Sequence, residues 1–515
     1  MKKTFKLTMM CATTMLLLSL GACKKNSGWE KENDGSSNYQ NPRMNVNIEF
    51  YALAGGIRID KINTANPGTI LNTAAITGLQ TSETILAIDF RPATGQLYGI
   101  SSASRLYVIN PGTGVARMIG ANQLTPALSG TIAGFDFNPT VDRIRIVTNT
   151  GQNLRVNPET GAVAATDGAI NGVSGAMITG VAYTNNSAGA ATTLLYDIDV
   201  ATQKLYKQLP PNDGKLVEVG PLKLKVSGNG GFDIAPKDDI AIGLYSVNNI
   251  PTLFTVNLET GEAKTLVRFE RTVPYTGIAI PTDPVAYATD LSNNLLIFNP
   301  WKPATIITKA IAGLNEGEKI AGLDFRPLNG QLYALTTGSR IITLNASSGA
   351  VAVVGTLSTP LSGSYFGFDF NPVVDRIRIT GNTGQNLRYN PNDPSAAVVV
   401  DGNLNPGTPG VTAVAYNNNF AGTTSTMLFD IDVVADKLFL QNPPNSGGLV
   451  EIGKLGYNVD AANGFDIGGS SNTAWAILSA DGRSRIFSIN TSTGAASFKG
   501  NFPVIANGFT IGLGF

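Results

Sequence analysis

The sequence predicts an all-β fold. Apolar and polar residues alternate over short runs, and Gly, Pro, Asn and Asp bound nearly every run. The 3.6-residue apolar spacing of an amphipathic helix is missing beyond the N-terminal leader. The chain also repeats itself. GFDFNPTVDRIRIVTNTGQNLRVNP, from Gly134 to Pro158, returns as GFDFNPVVDRIRITGNTGQNLRYNP, from Gly367 to Pro391, with 4 of 25 positions changed. A repeat of that length has to be recognised before any element is assigned, because it sets the architecture.

At the N-terminus, MKKTFKLTMMCATTMLLLSLGAC has a basic start, a short apolar segment and small residues before Cys23. This is the layout of a secretion signal. The ending LGAC matches a lipoprotein box, so residues 1–22 are expected to be cleaved and Cys23 to carry lipid. Residues 23–45 are polar and without periodicity, a flexible tether with a reach of roughly 25 Å. Two repeat domains follow, 46–281 and 282–515.

Each copy divides further. An apolar strand with a central small or acidic residue opens each unit: LAIDF, AGFDF, TGVAY, GGFDI and TGIAI in the first copy. Hairpins such as QLYGIS and RLYVINP come after it. The resulting unit length falls in the roughly 40–50-residue range of a propeller blade. The first copy starts at VNIEFYALAGGIRIDKIN without an opening strand, and the chain finishes on FTIGLGF, an opening strand with nothing after it. Closure of a ring by its last strand explains both and leaves no exposed sheet edge. TGIAI (Thr276–Ile280) could close the first copy in the same way. The expectation is a β-propeller fold with two tandem five-bladed propellers, and one ten-bladed ring is the alternative.

With DFRPATGQLY, GFDFNPxVDRIRI and NTGQNLRxNP on one chain, the sequence resembles a bacterial family, domain of unknown function 4394, in two tandem copies. The resemblance implies a propeller-like all-β domain in exported proteins. It implies no activity, substrate or catalytic residue.

In the repeated hairpin, Phe135 opposite Ile146 and Phe137 opposite Ile144 make one face apolar. The same register sets Asp136 opposite Arg145, and Asp369 opposite Arg378 in the second copy, so both are expected to be cross-strand ion pairs. Asp89, Asp233, Asp324 and Asp466 occupy the same place in other units, where no arginine follows. Aspartates accepting backbone amides at the next turn would cover these cases. Together the six acidic groups could hold a cation, calcium being the one suited to oxygen ligands. Gln152, Asn153 and Arg155, with Gln385, Asn386 and Arg388, offer amide and guanidinium groups beyond what a turn needs, and are the candidate ligand-binding residues. DIDV sets Asp197 and Asp199, and likewise Asp430 and Asp432, on one strand face.

Composition narrows the chemistry. The chain has no histidine and 2 cysteines, one in the leader and one at the lipidation position. Imidazole bases, thiol nucleophiles, disulfides and thiolate metal sites are excluded from the mature body. Lys+Arg and Asp+Glu are both 37, and removal of Lys2, Lys3 and Lys6 with the leader leaves 34 against 37. No nucleic-acid partner is expected from such a balance. The reading is a non-enzymatic binding or scaffold module of the bacterial envelope, on the outer membrane. It would be anchored in the bilayer through Cys23 and take a glycan or protein ligand. No catalytic residue is assigned. The alternative is a carboxylate-dependent glycan hydrolase or lyase.

Overall fold

A computed structural model describes residues 46–269, 274–461 and 463–515. The leader, the tether and the lipidation position Cys23 lie outside the described residues. Among the described residues, forty strands form ten four-stranded antiparallel sheets, and the helical content is two single 3-10 turns, Pro211–Asp213 and Pro444–Ser446. The all-β expectation holds.

Eight of the sheets are meanders of four consecutive strands, and the repeated segment shows why. Ala133–Asn138, Arg143–Thr148, Asn153–Val156 and Val163–Thr166 pair in order. The register sets Phe135 against Ile146 and Phe137 against Ile144, as face matching requires. The turn before the outermost strand also recurs. Asn157 accepts amides from Glu159 (2.7 Å) and Thr160 (3.2 Å) on its side-chain oxygen. The chain then reverses at Gly161, with φ of +69°. A side chain at Gly161 would also meet the Ile119 carbonyl of the preceding sheet at 2.8 Å, so the turn is both a reversal and a contact.

Two sheets are completed by a strand from far along the chain. Tyr275–Ala279 pairs with Glu49–Ala54, and Ala506–Ile511 pairs with Ala286–Asp290. Among the described residues, Ala506–Ile511 does not pair with Glu49–Ala54, as a single ten-sheet closure would need. The innermost strands pack in cyclic order. In the first half the order is Ile85–Phe90, Ala133–Asn138, Ile178–Tyr183, Val226–Ile234, Tyr275–Ala279 and back to Ile85–Phe90. The second half follows Ile320–Arg326, Phe366–Asn371, Val411–Tyr416, Gly464–Ile467 and Ala506–Ile511 in the same way. These strands approach so closely that a side chain on Gly231 would lie 2.2 Å from the Ile278 amide.

The core therefore lies between adjacent sheets rather than in one mass. Tyr98, Ile100, Phe135, Phe137, Ile144 and Ile146 form one such layer, each fully buried side chain contributing about 1.5–3 kcal/mol. The two halves also share a layer, in which Ala93 packs with Val285, Tyr287 and Leu513. Hydrogen bonds from Arg91 Nη1 to the Gly330 carbonyl (2.9 Å) and from Tyr287 to the Ala93 carbonyl (2.9 Å) cross the same seam.

Candidate functional site

The strand register puts Asp136 beside Arg145 and Asp369 beside Arg378, as the sequence requires. The ion pairs expected from it do not form. Asp136 turns toward the next sheet, where it accepts the Tyr183 amide (3.1 Å), and Asp369 does the same with Tyr416 (3.0 Å). Arg145 reaches the other way. It donates to Asp167 (2.6 Å), Asn153 (2.7 Å) and Asn212 (2.7 Å). Arg378 repeats this with Asp401 (2.7 Å), Asn386 (2.6 Å) and Asn445 (2.8 Å). The physical reason is reach. A short carboxylate on an innermost strand meets a fixed amide across a close seam, whereas a long guanidinium can collect several acceptors farther out.

All six innermost aspartates act as staples between sheets. Asp89 accepts its neighbour's amide, Phe90 (2.7 Å), and that of Phe137 on the next sheet (2.9 Å). Asp233 does so with Ile234 and Ile280, both at 2.6 Å. Asp466 accepts Ile467 and Ile511, and Asp324 accepts Phe370. The amides come from the adjacent residue and from the innermost strand of another sheet, not from the following turn as expected. The staples converge as Asp89, Asp136 and Asp233 in one half and Asp324, Asp369 and Asp466 in the other. Carboxylate oxygens in each trio lie within 4.8 Å of one another, close enough for a shared hard cation. The bonds they accept account for their placement without one. Burial pushes all six up, Asp233 to about 7 and Asp466 to about 6. Neighbouring carboxylates add to the rise for Asp89, Asp136, Asp324 and Asp369.

The candidate ligand residues are drawn into the protein to different degrees. Gln152 accepts the Ser129 amide and donates to the Ala127 carbonyl, and Gln385 does so with Ser362 and Pro360. Both fasten a neighbouring loop. Asn153 and Asn386 are buried, their amides donating to the carbonyls of Gly168 and Pro211, and of Gly402 and Pro444. Arg155 and Arg388 are about one-third exposed and grip Asp167 and Asp401 through Nε and Nη2. In the second half Arg376, Arg378 and Arg388 line a cleft of about 240 Å³ with Asn371, Val374, Tyr416, Pro444 and Asn445.

The two DIDV carboxylates have separate roles. Asp199 anchors a turn, accepting the Met177 and Ala201 amides and the Thr202 hydroxyl. Asp197 and Asp430 are fully buried with no hydrogen-bond partner, and burial pushes them well up against the opposing effect of Arg145 and Arg378. Sequence reasoning missed Asp167, Asp401, Tyr183, Tyr416, Asn212 and Asn445 as parts of the arginine network. The signal was there: Asp-Gly at 167–168 and 401–402, and Pro-Pro-Asn at 210–212 and 443–445, recur inside stretches that otherwise diverge.

These features define an all-β protein built from two copies of a five-sheet unit, each with a carboxylate trio at its centre and an arginine network between sheets. The chain belongs to the family described as domain of unknown function DUF4394, whose model matches residues 58–279 and 294–511. No curated protein shows significant similarity to it. Among solved structures, it is similar to the extracellular domain of a protein assigned as a one-component system from B. thetaiotaomicron. That match has 11% identity, covers 88% of this chain and 71% of the other, and has a TM-score of 0.25.

Proposed function

We propose that each half is a five-bladed β-propeller and that the body is a non-enzymatic binding or scaffold module of the bacterial envelope, held at the outer membrane through acylated Cys23. Closure of each half by its own last strand, with the cyclic packing of the innermost strands, supports the two-propeller reading. The leader and the LGAC motif support the location. The observation that carries the function is the duplication of one arginine–asparagine–tyrosine network in both halves, without a catalytic specialisation of either. Two linked weak sites gain avidity without any new contact, which is what such duplication supplies. The rival reading, a glycan hydrolase or lyase, needs two carboxylates open to one substrate. Asp197 and Asp199 are both fully buried. No cofactor is invoked.

The test is a glycan array and an envelope-protein pull-down with the Cys23→Ser chain. Saturable binding without turnover supports the module. Turnover of any bound glycan would replace it with the enzyme.

A further inference from the structure

We propose that the cleft of the second half binds a small organic oxyanion, a carboxylate or phosphate on a ligand no larger than one hexose, with Arg376 and Arg388 as its anchors. This deepens the binding-module reading and rests on it. At about 240 Å³ the cleft lies below the roughly 300–1,000 Å³ of drug-sized sites, which sets the upper size of the ligand.

The free valences in the cleft are donors. Arg376 spends Nη1 on the Val374 (3.1 Å) and Asp375 (2.9 Å) carbonyls, leaving Nε and Nη2 unengaged. Arg388 spends Nε and Nη2 on Asp401, leaving Nη1. Asn445 gives its oxygen to Arg378, leaving its amide nitrogen. The acceptors are already committed: the Asn371 oxygen takes the Val373 and Val374 amides, and the Tyr416 hydroxyl faces Arg378 Nε at 3.5 Å. A ligand for this cleft must therefore bring acceptors, and planar guanidinium groups favour carboxylate or phosphate.

Charge points the same way. Asp401 is shared by Arg378 and Arg388, and Asp375 is held by Arg326 with Arg376 only adding to its lowering, so Arg376 forms no salt bridge among the described residues. The first half differs at this point. There Glu159 pairs with Arg91 (3.1 Å) and is raised by burial, with Arg143, the counterpart of Arg376, adding a small opposing pull. Asn392 takes the place of Glu159 in the second half. Asn392 bonds Arg326 and Asp375 there, so one carboxylate fewer lies in the neighbourhood of Arg376 than of Arg143.

The full-length protein is titrated calorimetrically with glucuronate, glucose 6-phosphate, inorganic phosphate and neutral glucose. Binding of glucuronate identifies the carboxylate as the recognised group, and binding of glucose 6-phosphate or inorganic phosphate identifies the phosphate. Either supports the site. Arg376→Gln is expected to weaken binding at least tenfold with an unchanged melting temperature. Asn392→Glu, which adds a carboxylate near the cleft, should weaken it, and Arg143→Gln should leave it unchanged. The proposal is overturned if none of the anions binds, if glucose binds equally, or if Arg143→Gln weakens binding as much as Arg376→Gln. A ligand found by array whose binding survives Arg376→Gln would overturn this site while leaving the module reading intact.

Discussion

Replacing Arg145 by alanine tests where its charge is spent. Arg145 is 2% exposed and gives one nitrogen to both Asp167 and Asn153, and another to Asn212. Asp167 keeps its two bonds from Arg155, and Asn212 sits in solvent, so neither is stranded. The Asn153 oxygen is buried and loses its donor, which costs about 1–3 kcal/mol, and a charge-assisted bond is worth roughly 1.5–3 kcal/mol. Arg145→Ala should therefore cost about 3–5 kcal/mol, the sum of these two effects. Magnitude alone does not name the partner, so a double-mutant cycle is needed. Urea unfolding of Arg145→Ala, Asp167→Asn and the double variant should give a coupling of about 1–3 kcal/mol. The same cycle with Asp136→Asn should couple by less than about 0.5 kcal/mol. A larger coupling with Asp136 than with Asp167 would refute the argument, because the register-level ion pair would then be the real one.

The carboxylate trios predict stability that falls as pH rises. Their folded pKa values lie above 3.8, so the stabilisation is full below that pH and is lost as pH climbs through about 6 for Asp466 and about 7 for Asp233. Calorimetric melting temperatures should drop between pH 5 and 8, and Asp233→Asn with Asp466→Asn should flatten the slope; a rise with pH would contradict the assignment. Cys23→Ser is expected to move the protein from washed membranes to the soluble fraction, read by immunoblot, and retention would count against the lipid anchor. A fragment of residues 44–281 should melt cooperatively with a β-type circular dichroism spectrum, though at a lower temperature than the whole chain. The loss reflects the Ala93–Leu513 layer and the Arg91–Gly330 bond. A fragment that stays unfolded would argue against independent closure.

How much of this was legible in the sequence depends on the range of the interaction. The pairing of Phe135 with Ile146 follows from a period-two face pattern, which is local, and the structure keeps it. The missing opening strand before Glu49 likewise told that a later strand must complete that sheet, because an unpaired innermost edge is costly. The partner of Arg145 was not legible. Adjacency in a register says which Cβ atoms are neighbours, but a long side chain chooses among acceptors on three other segments, and Asp167 and Asn212 reach it only once two sheets pack. DIDV was legible in part: Asp199 anchors a turn, as such a motif commonly does, but the burial of Asp197 could not be read. Asp197 and Asp199 share a strand face, yet Asp199 meets turn amides while Asp197 is buried without a hydrogen-bond partner, a difference that spacing does not encode. Gln152 looked spare because its two contacts are with a loop more than twenty residues away in sequence.

The pairing of Glu49–Ala54 has a mechanical side. It is not an edge strand: Arg58–Asn63 is bonded along one flank and Tyr275–Ala279 along the other. A load applied at the N-terminal end therefore pulls along a strand clasped on both sides, and two ladders must shear together before the chain can pay out. Peeling, which breaks hydrogen bonds one at a time and yields to small forces, is not open to it. The strand that receives the pull is thus locked by the last strand of its own half, more than two hundred residues downstream, so the first half resists traction only when its closing strand is in place.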